Sequence, residues 1–197
     1  MAVRTGKSKS DIYQLKVTLL EGRPPIWRRL LVPGKTKLPD VHLMLQAAMG
    51  WYNCHLHKFE IDGVDYLEPD PEFDDLEAED ERTVRLRDVV DRKGERFLYV
   101  YDFGDDWEHE VLVEDIFAPE PKQHYPICVD GARACPPEDC GSMSGYREFL
   151  KAIRDPEHEE HEAMLEWVGR PFDSEAFDLA AINAALRDYR LLDARNC

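Results

Sequence analysis

RFLYVYDFGDDWEHEVLVEDIF, residues 96–117, decides the fold. Arg96 to Phe103 and Trp107 to Phe117 are the two most strand-like runs of the chain, and they meet at Gly104-Asp105. A Gly-Asp pair between two such runs reads as a hairpin. With a two-residue loop there, Asp102 pairs with Trp107 and Val100 with His109. Asp102 and His109 then share a face as diagonal neighbours. A carboxylate beside an imidazole fixes its tautomer or raises its pKa. That makes Asp102 and His109 catalytic candidates, and Asp106 joins them in the metal-dependent reading given below. The plain alternative is a hydrogen bond that closes the hairpin, and a loop of odd length separates the two residues.

Upstream, Ile12 to Leu20 alternates, with Tyr13, Leu15, Val17 and Leu19 on one face, as a half-buried strand does. Gly22-Arg23-Pro24-Pro25 turns the chain into a return strand over Ile26 to Val32. Asp40 is a good N-cap for a helix carrying Val41, Leu45 and Ala48, and Gly50 is its natural end. His55 to Ile61 is a strand, paired across Asp62-Gly63 with Val64 to Tyr66. Glu68 to Glu81 carries nine acids and no base, which reads as an exposed excursion. Val84 to Val90 is a short strand or a helical turn.

Downstream, CVDGARACPPEDCGSMSGY, residues 128–146, holds three cysteines, two prolines and three glycines. Pro136 and Pro137 remove two backbone donors, so the segment reads as a long irregular loop. Such a loop builds a site or holds two elements together. Ser144 to Arg154, Glu157 to Val168 and Asp178 to Tyr189 are helical. Strands early and helices late predict an α+β fold, an antiparallel or mixed sheet covered by helices. The expected organisation is a disordered tail at 1–10, one domain at 11–190 and a tail at 191–197. Within the domain, 11–117 is sheet-rich, 118–143 is the Cys/Pro loop and 144–190 is helical.

The net charge of −16 argues against direct binding to nucleic acid, whose phosphates demand Lys and Arg. The one basic cluster, Arg23, Arg28, Arg29, Lys35 and Lys37, reads as a solvated strand pair. No apolar run approaches a membrane span of roughly 20 residues. No secretory leader is visible, so the expected location is the cytoplasm. Five cysteines in such a chain read as thiols or ligands before disulfides.

Four stretches together resemble a known family: YQLKVTLLEGRPPIWRRLLVP, HLHKFEIDGVDY, YVYDFGDDWEHEVLVE and CVDGARACPPEDCGSMSGYREFL. They are similar to the Ri-plasmid ORF-3-like proteins, found on plasmids and as passengers of insertion elements. The resemblance runs from about Tyr13 to about Tyr189 and rests on DFGDDWEH together with ACPPEDCG. The family's pattern has two consecutive glycines after PPED-x, where this chain has Gly141-Ser142. It often has an aliphatic residue where Cys140 stands. The resemblance implies an α+β fold and an accessory role, and it brings no settled activity.

Several constellations carry possible chemistry. On a strand, His55 and His57 would point to one face about 7 Å apart, as metal ligands often do. The plain alternative is hydrogen bonding at a strand end. Cys128, Cys135 and Cys140 supply three thiolates at spacings unlike a zinc ribbon, with His55, His57 or His124 as a fourth ligand. Zinc is the metal this set suggests. The alternative is a loop of Pro136, Pro137, Glu138, Asp139 and Gly141 that packs its cysteines as small hydrophobes. His158 and His161 are one residue short of the HExxH spacing. The DFG at 102–104 lacks every other kinase element.

The preferred functional expectation is a non-enzymatic accessory protein that binds another protein. One alternative is a metal-dependent hydrolase built on His55, His57, Asp102, Asp106 and His109, with the cysteine loop as a wall. Another is an acidic mimic of nucleic acid that occupies a DNA-processing protein.

Overall fold

Strand β1 (Ile12–Leu19) lies in the middle of one sheet, with β2 (Ile26–Pro33) antiparallel on one side and β7 (Trp107–Phe117) antiparallel on the other. The computed structural model describes residues 11–69 and 78–193. Beyond β7 come β6 (Arg96–Tyr101), β3 (His57–Ile61), β4 (Val64–Leu67) and the parallel edge strand β5 (Ala78–Asp80). Beyond β2 lies β8 (Ile127–Ala132). The order is β5-β4-β3-β6-β7-β1-β2-β8, a mixed sheet that bears out the expected α+β class.

The alternation of the central strands sorts the two faces. Leu15, Val17, Tyr99, Tyr101, Trp107 and Val111 are buried. The other face carries charge, with Arg29 bonded to Glu114 at 2.6 Å and Arg96 to Glu110 at 3.3 Å. One dry face and one polar face are usual for an antiparallel sheet. Helix α1 (Leu38–Met49) buries ten of its twelve residues. It starts a few residues before the expected cap, with Lys37 as N-cap and a proline in its first turn. Gly50 ends it at φ 87°, as expected. The remaining helices are α2 (Leu86–Val89), α3 (Ser142–Arg154), α4 (His161–Val168) and α5 (Leu179–Arg187), with 3₁₀ turns at Glu81–Thr83 and Tyr189–Leu192.

Three expectations need correction. The segment read as wholly irregular contains β8, an edge strand with a register shift opposite Arg29 and Leu30. Gly131 is obligatory there, because a Cβ would stand 2.4 Å from the Phe177 ring. The acidic stretch ends in strand β5 and in Glu81, which is buried rather than exposed. Its centre, residues 70–77, lies outside the described residues, as do 1–10 and 194–197. Arg28 is not a solvated strand charge. It faces inward, 3% exposed, and donates to the carbonyls of Ala48, Trp27 and Ala132 and to Cys135 Sγ.

No helix among the described residues is long and apolar enough to cross a membrane.

Candidate functional site

The loop from Ala134 to Gly141 leads from β8 to α3 and meets Tyr101 at the end of β6 and His55 just before β3. Its contacts explain its composition. Prolines leave carbonyls without adding donors, and Pro136 O accepts from Trp51 Nε1 at 3.0 Å. Glu138 accepts from Tyr101 Oη and, at 2.9 Å, from the Tyr52 backbone N–H. Gly141 N donates to Asp105 Oδ2 at 3.0 Å. Gly145 completes the fit, since a Cβ there would lie 2.0 Å from Cys140 O. Glu138 and Asp139 therefore bond toward the sheet and do not cap α3. Gly141 is that helix's N-cap, and Ser144 falls inside its first turn.

Asp139 carries the loop to the ends of the strands. Its Oδ1 lies 2.7 Å from His55 Nε2. Asp102 Oδ2 lies 3.8 Å from the same nitrogen. Among the described residues, His55, Asp102 and Asp139 are the one group of three His, Cys, Asp or Glu side chains whose ligand atoms fall within 4.8 Å of one another. The trio stands between two depressions. His55 lines a cleft of about 370 Å³ shared with His57, Asn53 and Glu81. Asp139 lines a groove of about 670 Å³ on the helical side.

The cleft has a buried polar floor. His57 Nε2 sits 3.1 Å from both carboxyl oxygens of Glu81. The His57 ring lies on His42, with centroids 3.5 Å apart. His42 Nε2 donates to Asn53 Oδ1 at 2.6 Å, so its Nδ1 accepts from Tyr99 Oη at 2.8 Å. Gln46 Nε2 donates to the same hydroxyl at 3.0 Å. Burial pushes the Glu81 carboxyl up to about 8 and the His57 imidazole down to about 3. Burial and the neighbouring His57 hold His42 well below the usual imidazole range.

The expected residues are partly assembled. The hairpin loop has five residues, 102–106, so Tyr101 pairs with Trp107 and Tyr99 with His109. The idea of Asp102 and His109 as diagonal neighbours therefore fails. His109 is fully buried against Trp51 and Tyr99, its Nδ1 donating to Tyr99 O at 3.3 Å. Burial lowers its pKa to about 4. Asp106 lines a different depression, beside Ser142 and Ser144. His57 turns inward to Glu81, while His55 precedes the strand and meets the acids.

The three loop cysteines do not converge. Cys128 Sγ donates to Asp130 O at 3.3 Å, and Cys135 Sγ lies 3.2 Å from Met49 Sδ. Burial raises all three thiols, Cys140 to about 12 with the Asp105 charge adding to it.

Residues 11–181 match the family described as plasmid pRiA4b ORF-3-like protein. The chain belongs to that family. A curated relative, uncharacterized protein y4hQ of Sinorhizobium fredii, is 40% identical over 180 residues, covering 91% of this chain and 92% of the relative. A crystal structure of a protein of unknown function, MM3350 from Methanosarcina mazei Go1, superposes with a TM-score of 0.79 at 36% identity, covering 87% of this chain and 97% of that one. Membership in the ORF-3-like family fits an accessory protein and brings no named activity.

In this ORF-3-like chain the residues that sequence reasoning missed are Glu81, His42 and Tyr99. Glu81 was hidden in an acidic run. His42 lay among apolar helix residues, where the helical spacing itself signalled a buried position.

Proposed function

We propose that the protein is a non-enzymatic accessory module that binds another protein through its C-terminal helical layer. One observation carries the proposal: α4 buries none of its residues although it contains Met164, Leu165, Trp167 and Val168. Trp167 is 45% exposed and Leu165 39%. Side chains of this size left in solvent next to a groove mark a contact surface. The groove beside Trp167 is walled by Met49, Pro137, Phe172, Phe177 and Ile182. Pro136 and Pro137 support that wall from the sheet side, so the Cys/Pro loop acts as a clamp between groove and sheet.

The test is capture of partners from the host extract with the full chain and with Trp167→Ala, beside light scattering of both. A monomer that retains a defined partner only with Trp167 intact supports the proposal. A dimer that dissociates in Trp167→Ala would mean that the face closes on a second copy, and the proposal would fall. Identical captures by both proteins would also sink it.

A further inference from the structure

We propose that His55, Asp102 and Asp139 form a binding site for one first-row divalent cation, with one imidazole nitrogen and two carboxylate oxygens as protein ligands. The inference is independent of the helical contact surface. It rests on three chain segments meeting at one point: the entry to β3, the β6–β7 loop and the Pro-Pro loop.

The geometry suits an ion. Ligand atoms that share one with bonds of about 2.0–2.2 Å stand about 3–4 Å apart. Here His55 Nε2 is 2.7 Å from Asp139 and 3.8 Å from Asp102, so small side-chain rotations give that spacing. Asp102 is the anchor. Its side chain is 11% exposed, and its other oxygen, Oδ1, accepts from Gly104 N at 2.9 Å. That bond orients the second oxygen toward His55, as supporting hydrogen bonds orient metal-bound carboxylates. Asp139, with a side chain 65% exposed, closes the site from outside. The Tyr101 ring lies edge-on to His55 at 5.8 Å and holds Glu138, the residue before Asp139. The loop that supplies the third ligand is thereby fastened to the strand that precedes Asp102.

Ligand chemistry selects the ion class. An imidazole with two carboxylates suits manganese, iron, cobalt or zinc, while the absence of a thiolate from the set disfavours soft ions. Three protein ligands leave positions for water or for a ligand entering from the cleft that His55 lines.

The experiment uses full-length, tag-free protein stripped with chelator. It is titrated calorimetrically with Mn²⁺, Co²⁺ and Zn²⁺ separately, and the Co²⁺ form is read by absorption. The expected result is one equivalent bound, weakened at least tenfold in Asp102→Asn and in Asp139→Asn. The cobalt spectrum should lack the intense near-ultraviolet band of sulfur ligation. Asp139→Asn changes an exposed side chain, so its circular dichroism should match the parent and keep the test meaningful if Asp102→Asn misfolds. Absence of saturable binding would overturn the proposal. So would affinity unchanged in Asp139→Asn, or a thiolate band, which would return the site to the cysteines. Trp167→Ala should leave the titration unaltered, so failure of the partner surface and failure of the cation site are distinguishable.

Discussion

His57 lies flat on His42, ring centroids 3.5 Å apart and planes within 4°. Two imidazoles in that contact, His42 buried and His57 with a side chain 10% exposed, cannot both carry charge without strong repulsion. Tyr99 and Asn53 hold His42 in one neutral tautomer. His57 then meets the Glu81 carboxyl as a neutral base, and the pair shares one proton.

That sharing predicts an unusual pH dependence. The folded Glu81 pKa of about 8 lies above the ordinary 4.5, so the folded chain holds a proton that the unfolded chain releases. Its stabilising effect is complete below about 4.5 and is lost as pH rises through about 8. Each tenfold in proton affinity is worth about 1.4 kcal/mol. His57 and His42 act in the opposite sense, losing stability as pH falls below the ordinary histidine value of 6.5. Urea unfolding across pH 5–9 (about one step per unit) should show the parent falling relative to Glu81→Gln. Parallel curves would mean that Glu81 is ionised against a protonated His57.

Gly145 sets a second prediction. Alanine there would put its Cβ 2.0 Å from a backbone oxygen, that of Cys140, which no rotamer relieves. Either the first turn of α3 or the loop before it must shift. We expect Gly145→Ala to cost about 2 kcal/mol or more and to speed proteolysis at 134–141. A melting temperature within a degree or so of the parent would show that the turn relaxes freely.

The cysteines give a third. Cys128 is 1% exposed and Cys135 7%, and burial raises both thiols. Thiolate is the reactive form, so both should resist a disulfide reagent in native protein at neutral pH and react fully in denaturant. Rapid native labelling of Cys135 would contradict the packing of that loop.

Why the strands were legible and parts of the site were not follows from particular residues. Tyr13, Leu15, Val17 and Leu19 alternate because one face of β1 is dry, and periodicity reports that directly. Gly104 drew the hairpin turn to itself. The chain instead turns on Asp102 and Asp106, both in the left-handed region at φ 57° and 56°. Asp102 tolerates this by accepting from Gly104 N through its side chain and from Asp106 N through its carbonyl. Composition favours glycine for such a turn, so a five-residue loop reads as a two-residue one, and that odd-for-even difference moves His109 to the face opposite the one expected. Glu81 is buried by a histidine 24 residues away, a pairing no local pattern carries. The meeting of His55 with Asp139 spans 84 residues and depends on the whole sheet being in register.

The last prediction concerns Arg28, a buried guanidinium bonded to three carbonyls and a thiol. These partners come from α1, β2, β8 and the Pro-Pro loop, so one side chain ties together four segments. Phe177 adds a ring 5.3 Å from the guanidinium. Lysine is a point charge without the planar fork and cannot reach all four acceptors. Arg28→Lys should therefore cost about 2–4 kcal/mol, mostly from carbonyls left unpaired. Cys135→Ala should cost about 1–2 kcal/mol, since it strands a single donor and removes a small apolar contact. The double variant should lose less than the sum, because the Nη2–Sγ bond at 3.2 Å is counted in both. Chemical denaturation of the four proteins closes that cycle. Strict additivity would show that Arg28 and Cys135 do not act on one another and that the clamp is held by the carbonyl bonds alone.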